Sequence, residues 1–516
     1  MAGCEDDGSP GTLRAAIDGA SDGDTIDLTG LSCSLITLQN GTLTSPVTSL
    51  RIVGPGADLL TINGNDTFRV LQVPRLEIEG LTVANGRAAG SGACILTDNL
   101  SLTDAVLTDC VNFSAGAALG GAAFVSGDLT MHRASIVGSG AAGANYAMGG
   151  AAFVGGTATL YASTITGNSV QAGGAAYGGG ISANDGITLH ASTIENNSAR
   201  SSIESAYGGG LHSFGGDISI LDGSAVSGNL ARSEQAYVFG GGVNAGTVLA
   251  PAGIAVVRNS TISGNSASSA CSVCLVSGGG LQAFDSIDTA YSTFSYNEAS
   301  CDDPASQCSA GGGGMSALGQ STLSSIAMRN TTISGNTSIG GTQPGAFAAG
   351  GGIMGGSGLR IVARNSTIAF NDAATLGGGI AATSSAGTPS ELVSTIVADN
   401  HSSGGAGDIV AGPFGNDLVL EGSNNMVTAA GAGVTLPGDT STDEPLLLPL
   451  TTANGGVTAT HALAAGSPAI DTGANPDAFL FDQRGFPHQR VVGASADIGA
   501  YEFDTDPSIF ADDFDP

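Results

Sequence analysis

A block of three glycines followed by an aliphatic residue recurs through most of this chain. About twenty residues after each block comes a Ser-Thr-Ile-x-x-Asn motif. Self-similarity that returns every roughly 20 to 50 residues is the signature of a solenoid or a propeller. The blocks lie at 178–180, 208–210, 278–280, 350–352 and 377–379, with looser copies at 120–124 and 149–153. Each copy is therefore one structural unit that packs on its neighbours.

The second half of each repeat indicates two short strands, for example at 187–189 and 192–194. Three-residue alternations broken by Gly, Asn and Ser favour strands and turns over a helix. A propeller blade needs four longer strands per repeat, whereas one coil of a β-helix needs three short strands and a turn of variable length. We predict an all-β fold: a single-stranded, right-handed parallel β-helix, a solenoid with an N-terminal cap and a non-repeating C-terminal module.

Two inward ranks follow from aligning the repeats. An aliphatic or aromatic residue recurs at one position and should stack along one wall: Ile165, Ile194, Val226, Ile262, Phe294, Ile333 and Ile368. An asparagine recurs three residues later: Asn168, Asn197, Asn229, Asn265, Asn297, Asn336 and Asn371. We interpret the asparagine rank as structural, because stacked amides hydrogen-bond to one another and satisfy the backbone of a repeated turn.

Two outward ranks offer candidate binding surfaces. Tyr146, Tyr177, Tyr207 and Tyr237 are spaced by 31, 30 and 30 residues and predict a tyrosine ladder on one edge. The ladder is either cross-rung packing of insertion loops or an aromatic strip for a glycan or protein partner. A threonine rank comprises Thr164, Thr193, Thr261, Thr293, Thr332, Thr367 and Thr395. Ordered threonine arrays can order water at an ice surface, but the rank beside this one is mixed, which disfavours ice binding.

The eight cysteines fall into four close pairs: Cys4 with Cys33, Cys94 with Cys110, Cys271 with Cys274, and Cys301 with Cys308. An even count with such proximity favours disulfides and an oxidising compartment. Zinc binding at Cys271-x-x-Cys274 is the competing interpretation, but it needs two further ligands. A link between neighbouring coils, such as Cys274 to Cys308, also remains open.

The charge balance excludes some partners. All fourteen basic residues are arginine, and 45 acidic residues leave a formal net charge of −31. Such a surface repels nucleic acid and anionic lipid. It attracts divalent cations, and the adjacent carboxylates Asp302 and Asp303 are the candidate metal site. Calcium is the ion that such oxygen ligands would hold, although we expect no required cofactor. No apolar run reaches the roughly 18 residues of a membrane span, so we expect no membrane insertion.

The chain divides into three regions. Residues 1–90 contain an amphipathic helical turn at 13–17 that indicates an N-terminal cap, and residues 91–427 form the repeat array. Residues 428–516 lose the repeat, carry a charge cluster and end in an acidic tail. The cluster comprises Asp471, Asp482, Arg484, Arg490, Asp497 and Glu502, near His461 and His488. We interpret it as ion pairs that hold a terminal cap in place; an acid-base site is the alternative.

Several of these segments resemble known families. Gly-Thr-Leu-Arg-Ala-Ala-Ile at 11–17 resembles the N-terminal region of bacterial proteins named for a Cys-Ser-Leu-Arg-Glu-Ala motif, with Gly-Thr-Leu in place of Cys-Ser-Leu and Ala in place of Glu. The segments 454–456, 460–463, 466–471, 482–485 and 497–502 resemble the choice-of-anchor Q module. The repeats are similar to those of polymorphic outer-membrane proteins. These resemblances imply an exported β-helix of the pectate-lyase-like type, extracellular or on the outer surface of a bacterium.

We expect the protein to act as a structural, matrix or adhesive component. Its partner would be a second copy of the chain, joined head to tail into fibres, or a surface glycan or protein. The alternative is a Ca-dependent polysaccharide lyase or glycoside hydrolase acting on acidic glycans, which would need a unique base. The candidate bases are His132, Arg133, His190, His212, Arg258, Arg329, Arg360 and Arg364. Three of the arginines recur in register directly before Asn, which favours a scaffold. We therefore expect a non-catalytic protein.

Overall fold

The computed structural model describes residues 3–45, 47–247, 253–319, 324–384, 389–405, 407–412 and 417–504. Its strands pair in parallel from coil to coil and form a parallel β-helix, which confirms the predicted fold class. One short helix, α1 (Leu13–Asp18), precedes the strands. Leu13 and Ile17 of this helix are buried against the first coil, as the amphipathic turn predicted.

Three sheets enclose the main core. Sheet 1 contains fifteen strands: Asp24–Asp27, Ser49–Val53, Arg75–Glu79, Asn99–Thr103, Leu129–His132, Thr157–Tyr161, Gly186–His190, Ile218–Leu221, Ala255–Arg258, Ile287–Ala290, Ser325–Arg329, Arg360–Arg364, Ser390–Val393, Leu418–Ser423 and Val434–Thr435. Sheet 2 contains fourteen: Leu35–Thr37, Thr61–Asn63, Thr82–Ala84, Val106–Thr108, Ser135–Val137, Thr164–Thr166, Thr193–Glu195, Ala225–Ser227, Thr261–Ser263, Thr293–Ser295, Thr332–Ser334, Thr367–Ala369, Ile396–Ala398 and Met426–Val427. Sheet 3 contains thirteen: Leu43–Thr44, Leu71–Gln72, Ile95–Thr97, Ala123–Val125, Ala152–Val154, Ile181–Ala183, Leu211–Ser213, Val243–Ala245, Leu281–Ala283, Met315–Ala317, Ile353–Ser357, Ile380–Thr383 and Ile409–Ala411.

Two further sheets lie between sheets 2 and 3 along the chain and form a lateral projection, which we call the fin. Sheet 4 contains Arg87–Ala89, Val111–Ser114, Gly140–Gly143, Ser169–Ala172, Ser198–Ser201, Leu230–Ser233, Ser266–Ser269, Glu298–Cys301, Thr337–Ile339, Asp372–Ala373 and His401–Ser402. Sheet 5 contains Ala117–Leu119, Tyr146–Met148, Ala176–Tyr177, Ala206–Tyr207, Val238–Phe239, Leu275–Ser277, Ser309–Gly311 and Ala348–Ala349. Eight coils therefore have five strands, whereas the first two coils have the three strands that the sequence predicted.

The predicted aliphatic rank is confirmed as the inner wall of sheet 2. Ile194 pairs with Val226, Val226 with Ile262, and Ile262 with Phe294, and all four side chains are buried. The threonine rank is correct only as far as Thr367. This residue pairs with Ile396, so Thr395 lies one position earlier, in the turn before the strand.

The asparagine rank is a continuous ladder at the turn from sheet 2 to sheet 4. The Asn197 side chain donates to the Asn229 side-chain oxygen at 3.0 Å, and Asn229 donates in the same way to Asn265 at 2.9 Å. Each amide nitrogen also donates to a carbonyl one coil earlier, for example Asn197 to Ile165. At its C-terminal end Asn400 donates to the carboxylate of Asp408 at 2.9 Å. The ladder thus satisfies the backbone where the chain leaves the core for the fin.

The glycine blocks lie opposite this ladder, where the chain returns from sheet 5 to sheet 3. Gly178 adopts a φ of +60°, which favours glycine. A Cβ on Gly179 would lie 2.2 Å from the carbonyl oxygen of Gly209, and a Cβ on Gly180 would lie 3.3 Å from the side-chain amide carbon of Asn197. The two halves of the sequence repeat therefore meet at the narrow base of the fin, which explains why both recur together.

The interior of the fin is built from small residues. Sheets 4 and 5 pack through a cluster of mostly alanine and valine side chains: Ala118, Ala141, Ala147, Val170, Ala172, Ala176, Ala199, Ala206, Ala231, Val238, Ala267, Val276, Ala299 and Ala310. The cysteine pairs Cys271–Cys274 and Cys301–Cys308 complete this cluster. Small side chains allow the two sheets to approach closely, so the fin is thin.

All four predicted cysteine pairs are disulfides, including Cys4–Cys33 beside the N-terminal helix and Cys94–Cys110 in the core. The zinc and inter-coil alternatives are therefore wrong. Four disulfides are typical of proteins in an oxidising, extracytoplasmic environment. Within the described part of the chain, no helix is both long and apolar enough to cross a membrane.

Beyond Val434–Thr435 the chain turns back and covers the outer face of sheet 2. The Thr293 hydroxyl donates to the Ala459 carbonyl at 2.7 Å, and Thr332 donates to Gln483 at 2.6 Å. Thr367 accepts a hydrogen bond from the Ala500 amide. Thr164, Thr193 and Thr261, earlier in the same column, are only partly buried. Up to Asp504, the C-terminal segment thus covers the second half of this face and leaves the first half open.

Ion pairs hold this C-terminal segment together, as the charge cluster predicted. Arg484 pairs with Asp482 at 2.6 Å and lies 3.9 Å over the ring of Tyr501. Arg490 and Glu502 are both fully buried and lie 3.8 Å apart. His461 contacts the Ser334 hydroxyl at 2.8 Å, which joins the segment to sheet 2. The tail after Asp504 lies outside the described residues.

Candidate functional site

The outer edge of the fin carries a notch, which we call the saddle. Register pairs Ala172 with Ser201 and Tyr177 with Tyr207, so the later turn from sheet 4 to sheet 5 is one residue longer. The shorter turn, at Gly173 and Gly174, packs tightly on the preceding one: a Cβ on Gly174 would lie 2.0 Å from the Asn145 carbonyl oxygen. Because Gly173 and Gly174 have no side chains, this turn forms a recess between Asn145 and Tyr146 of the preceding turn and Ile203 and Glu204 of the following one.

The recess opens on both sides of the fin. On the sheet 5 side it forms a cavity of about 540 Å³ whose polar and apolar walls include Asn145, Tyr146, Met148, Tyr177, Ile203 and Glu204. On the sheet 4 side it forms a cavity of about 410 Å³ whose walls include Phe113, Gln171 and Ser202. Tyr146, Phe113 and Ile203 are 39%, 44% and 61% exposed. The saddle therefore combines exposed apolar surface with several hydrogen-bonding side chains.

Two of the four predicted tyrosines line this cavity, but the predicted ladder is out of register at both ends. Tyr177 and Tyr207 stack at 5.0 Å, and Phe239 continues the stack at 5.5 Å. Met148, and not Tyr146, pairs with Tyr177. Tyr237 likewise lies two positions before Phe239. Equal sequence spacing did not give equal register here, because neighbouring coils differ in length: 29 residues separate Met148 from Tyr177, 30 separate Tyr177 from Tyr207, and 32 separate Tyr207 from Phe239.

The saddle is acidic on one wall. The carboxyl carbon of Glu204 lies 3.5 Å from the position that a Gly174 Cβ would occupy, so the carboxylate stands over the recessed turn. Within the described residues no arginine forms an ion pair with Glu204. Burial, together with the charges of Tyr207 and Glu204, raises the pKa of Tyr177 to about 12. Tyr177 therefore remains a neutral phenol at physiological pH.

A second exposed aromatic group lies on the outer face of sheet 1. His132, Tyr161 and His190 stack with ring centroids 4.7 and 4.9 Å apart. His190 Nδ1 contacts the Asp222 carboxylate at 2.7 Å. A carboxylate in this position orients the imidazole, so His190 is the candidate general base of this face.

The other candidate bases are engaged in structural contacts. Arg133 forms an ion pair with Asp104 at 2.6 Å. His212 is completely buried, its Nδ1 lies 3.0 Å from the Asn244 amide, and burial lowers its pKa to about 3. Arg258, Arg329, Arg364 and Arg360 follow one another along sheet 1, joined by the carboxylates of Asp288, Asp477 and Glu391. The recurrence in register of Arg258, Arg329 and Arg364 corresponds to a network that joins coils.

The two predicted metal-binding residues contact different partners. Asp302 lies 3.1 Å from Arg232, and the Asp303 side chain accepts a hydrogen bond from the Ala305 amide. Among the described residues, no group of three or more His, Cys, Asp or Glu side chains is arranged to hold a metal ion. The local contacts of this pair therefore give the metal prediction no support.

Sequence reasoning missed Phe113, Asn145, Ile203 and Glu204, which line the saddle. None of these residues belongs to a repeated rank, so alignment of the repeats gave them no weight. The detectable signal was the length of the segment before each glycine block, which increases by one residue between Tyr177 and Tyr207. A change of turn length marks the place where the edge of a solenoid alters its profile.

Comparisons with known proteins give a distant structural match and no family. No family model matches the chain, and no curated protein matches it. The crystal structure of pectate lyase Pel9A matches with a TM-score of 0.36 and 13% identity, over 84% of this chain and 88% of that one. At that score and identity the match carries no argument about function.

Proposed function

We propose that the protein is an extracytoplasmic, non-catalytic β-helix that binds a glycan through the saddle, and so acts as an adhesive or matrix component. The observation that carries the proposal is the recess at Gly173 and Gly174, which places exposed Tyr146 and Ile203 beside polar Asn145 and Glu204. Aromatic faces with a few polar groups are suited to sugar rings, which offer both C–H and hydroxyl surfaces.

Two further features support a bound glycan over a bound peptide strand. The backbone groups of sheets 4 and 5 pair from coil to coil, so among the described residues the outer edge of the fin presents no row of free donors and acceptors for strand addition. Helix α1 covers the first coil, and Val434 and Leu436 pack against the core at the other end. Covered ends favour adhesion over head-to-tail growth into fibres, which we retain as a secondary mode.

The resemblance to the choice-of-anchor Q module supports a surface location. In that role, the C-terminal segment would connect the β-helix to an export or anchoring system. Its extensive packing on sheet 2, through Thr293, Thr332 and Thr367, suits a segment that transmits load to the coils.

The proposal is tested by binding purified protein to immobilised neutral and charged glycans. Tyr146→Ala should weaken binding at least tenfold, and Tyr296→Ala, which removes an exposed tyrosine elsewhere, should leave it unchanged. Equal binding by both variants would contradict the saddle as the site.

The alternative is a polysaccharide lyase or hydrolase, and the pair His190–Asp222 is the observation that favours it. Incubation with pectin, alginate and neutral polysaccharides, with and without Ca²⁺, should release no unsaturated or reducing products. Product release that is lost in His190→Gln would replace adhesion by catalysis on sheet 1.

A further inference from the structure

We infer that the saddle selects a glycan that carries free amino groups, such as a polymer containing glucosamine. This inference rests on the proposed function and specifies its ligand class. It begins from the charge of the site. Glu204 places a carboxylate above the recessed turn, and no described arginine pairs with it, whereas the nearby Glu234 at the next turn is neutralised by Arg232 at 3.0 Å. One carboxylate at the fin edge is therefore available to an external cation.

The aromatic groups around this carboxylate suit a cation as well. Tyr177 lies near enough to Glu204 for the glutamate charge to raise its pKa, and Tyr146 lines the same cavity with 39% of its surface exposed. A cation beside neutral phenol rings gains a cation–π contribution in addition to its ion pair. A sugar ring carrying an ammonium group would place its C–H face on a tyrosine and its charge on Glu204.

The chain itself offers little to fill this site. It contains no lysine, and its net charge of −31 attracts cationic polymers and repels acidic ones. An acidic glycan, as in the lyase alternative, would meet Glu204 without a compensating charge. A basic polypeptide shares the cationic chemistry. The glycan is favoured because the saddle continues across both faces of the fin, past Phe113 and Gln171, which is more surface than a single side chain requires.

The test measures binding of three probes by calorimetry at low and moderate salt: a glucosamine oligomer, the corresponding N-acetylglucosamine oligomer and an oligolysine peptide. We expect the glucosamine oligomer to bind at least tenfold more tightly than its acetylated counterpart. Glu204→Gln should weaken that binding at least tenfold, and Glu234→Gln, which removes the same charge from a paired residue, should weaken it less than twofold.

Three results would overturn the inference. Equal weakening by Glu204→Gln and Glu234→Gln would assign the attraction to the diffuse charge of the surface. Equal affinity for the acetylated oligomer, still lost in Tyr146→Ala, would remove the amine requirement while leaving the proposed glycan-binding function intact. Binding of oligolysine without binding of either oligosaccharide would identify a polypeptide partner and contradict both proposals.

Discussion

The core and the fin are built by the same coils, yet their interiors differ in kind. Sheets 1 to 3 enclose large aliphatic side chains such as Ile194 and Ile262, whereas sheets 4 and 5 meet mainly through alanine. Burial of a large aliphatic side chain contributes about 1.5 to 3 kcal/mol, and alanine contributes much less. The core therefore supplies most of the stability, and the fin supplies a thin edge whose outline is set by its turns.

The largest effect is expected from a charged side chain introduced into the core. Ile262→Asp places an unpaired carboxylate between Val226 and Phe294 and should cost more than about 4 kcal/mol, enough to unfold adjacent coils. Ser263→Asp, on the outer face of the same strand, is the control and should have little effect. Chemical denaturation followed by circular dichroism measures both. A fully stable Ile262→Asp protein would show that the rank is not the inner wall.

The second test addresses the boundary between core and fin. Asn265→Ala removes the group that donates to Val226 and accepts from the backbone and side chain of Asn229. Unpaired buried groups cost about 1 to 3 kcal/mol each, so we expect a total loss of about 2 to 4 kcal/mol. Asn184→Ala, at an exposed position, is the control. Denaturation midpoints that coincide for the two variants would contradict the structural role of the ladder.

A third test is specific to the fin. Ala231 is buried between Ala199 and Ala267, and Ala231→Leu should force sheets 4 and 5 apart at a cost of about 1 to 3 kcal/mol. Hydrogen exchange should accelerate in the fin and remain slow in sheets 1 to 3. Ala225→Leu, on the open half of sheet 2, is the matched control. Uniform acceleration through the whole chain would show that core and fin unfold as one unit.

The last test concerns the C-terminal segment, which buries Glu502 3.8 Å from Arg490. Burial raises the pKa of Glu502 from 4.5 to about 8. Because the folded pKa lies above the ordinary one, this residue's contribution to stability is complete below pH 4.5 and is lost as the pH rises through about 8. The slope is at most about 1.4 kcal/mol per pH unit.

Hydrogen exchange of residues 480–503 between pH 5 and 9, corrected for intrinsic rates, measures this loss, and Glu502→Gln should flatten the dependence. Protection that increases with pH in the unmodified protein would mean that Arg490 keeps Glu502 ionised.

The sequence predicted the core well and the fin poorly, for a physical reason. The core ranks at Ile262 and Asn265 stand out because large apolar and amide side chains recur in one register. The fin strands, such as Gly140–Gly143 and Ala206–Tyr207, contain residues of low strand propensity. They are extended because neighbouring coils supply their hydrogen bonds. Ile203 and Glu204 belong to no repeated rank, so alignment of the repeats could not show that they line a cavity.

The unequal turns at the fin edge have an evolutionary consequence. Strands on both sides of each turn are fixed by their neighbours, so a turn can gain a residue without moving any strand pair. The turn between Ser201 and Tyr207 has gained one relative to the turn between Ala172 and Tyr177. Selection can therefore reshape the proposed ligand surface by small insertions and deletions while the coils stay unchanged. Related proteins would then share their scaffold and diverge in what they recognise, with the greatest variation concentrated in a few residues per coil.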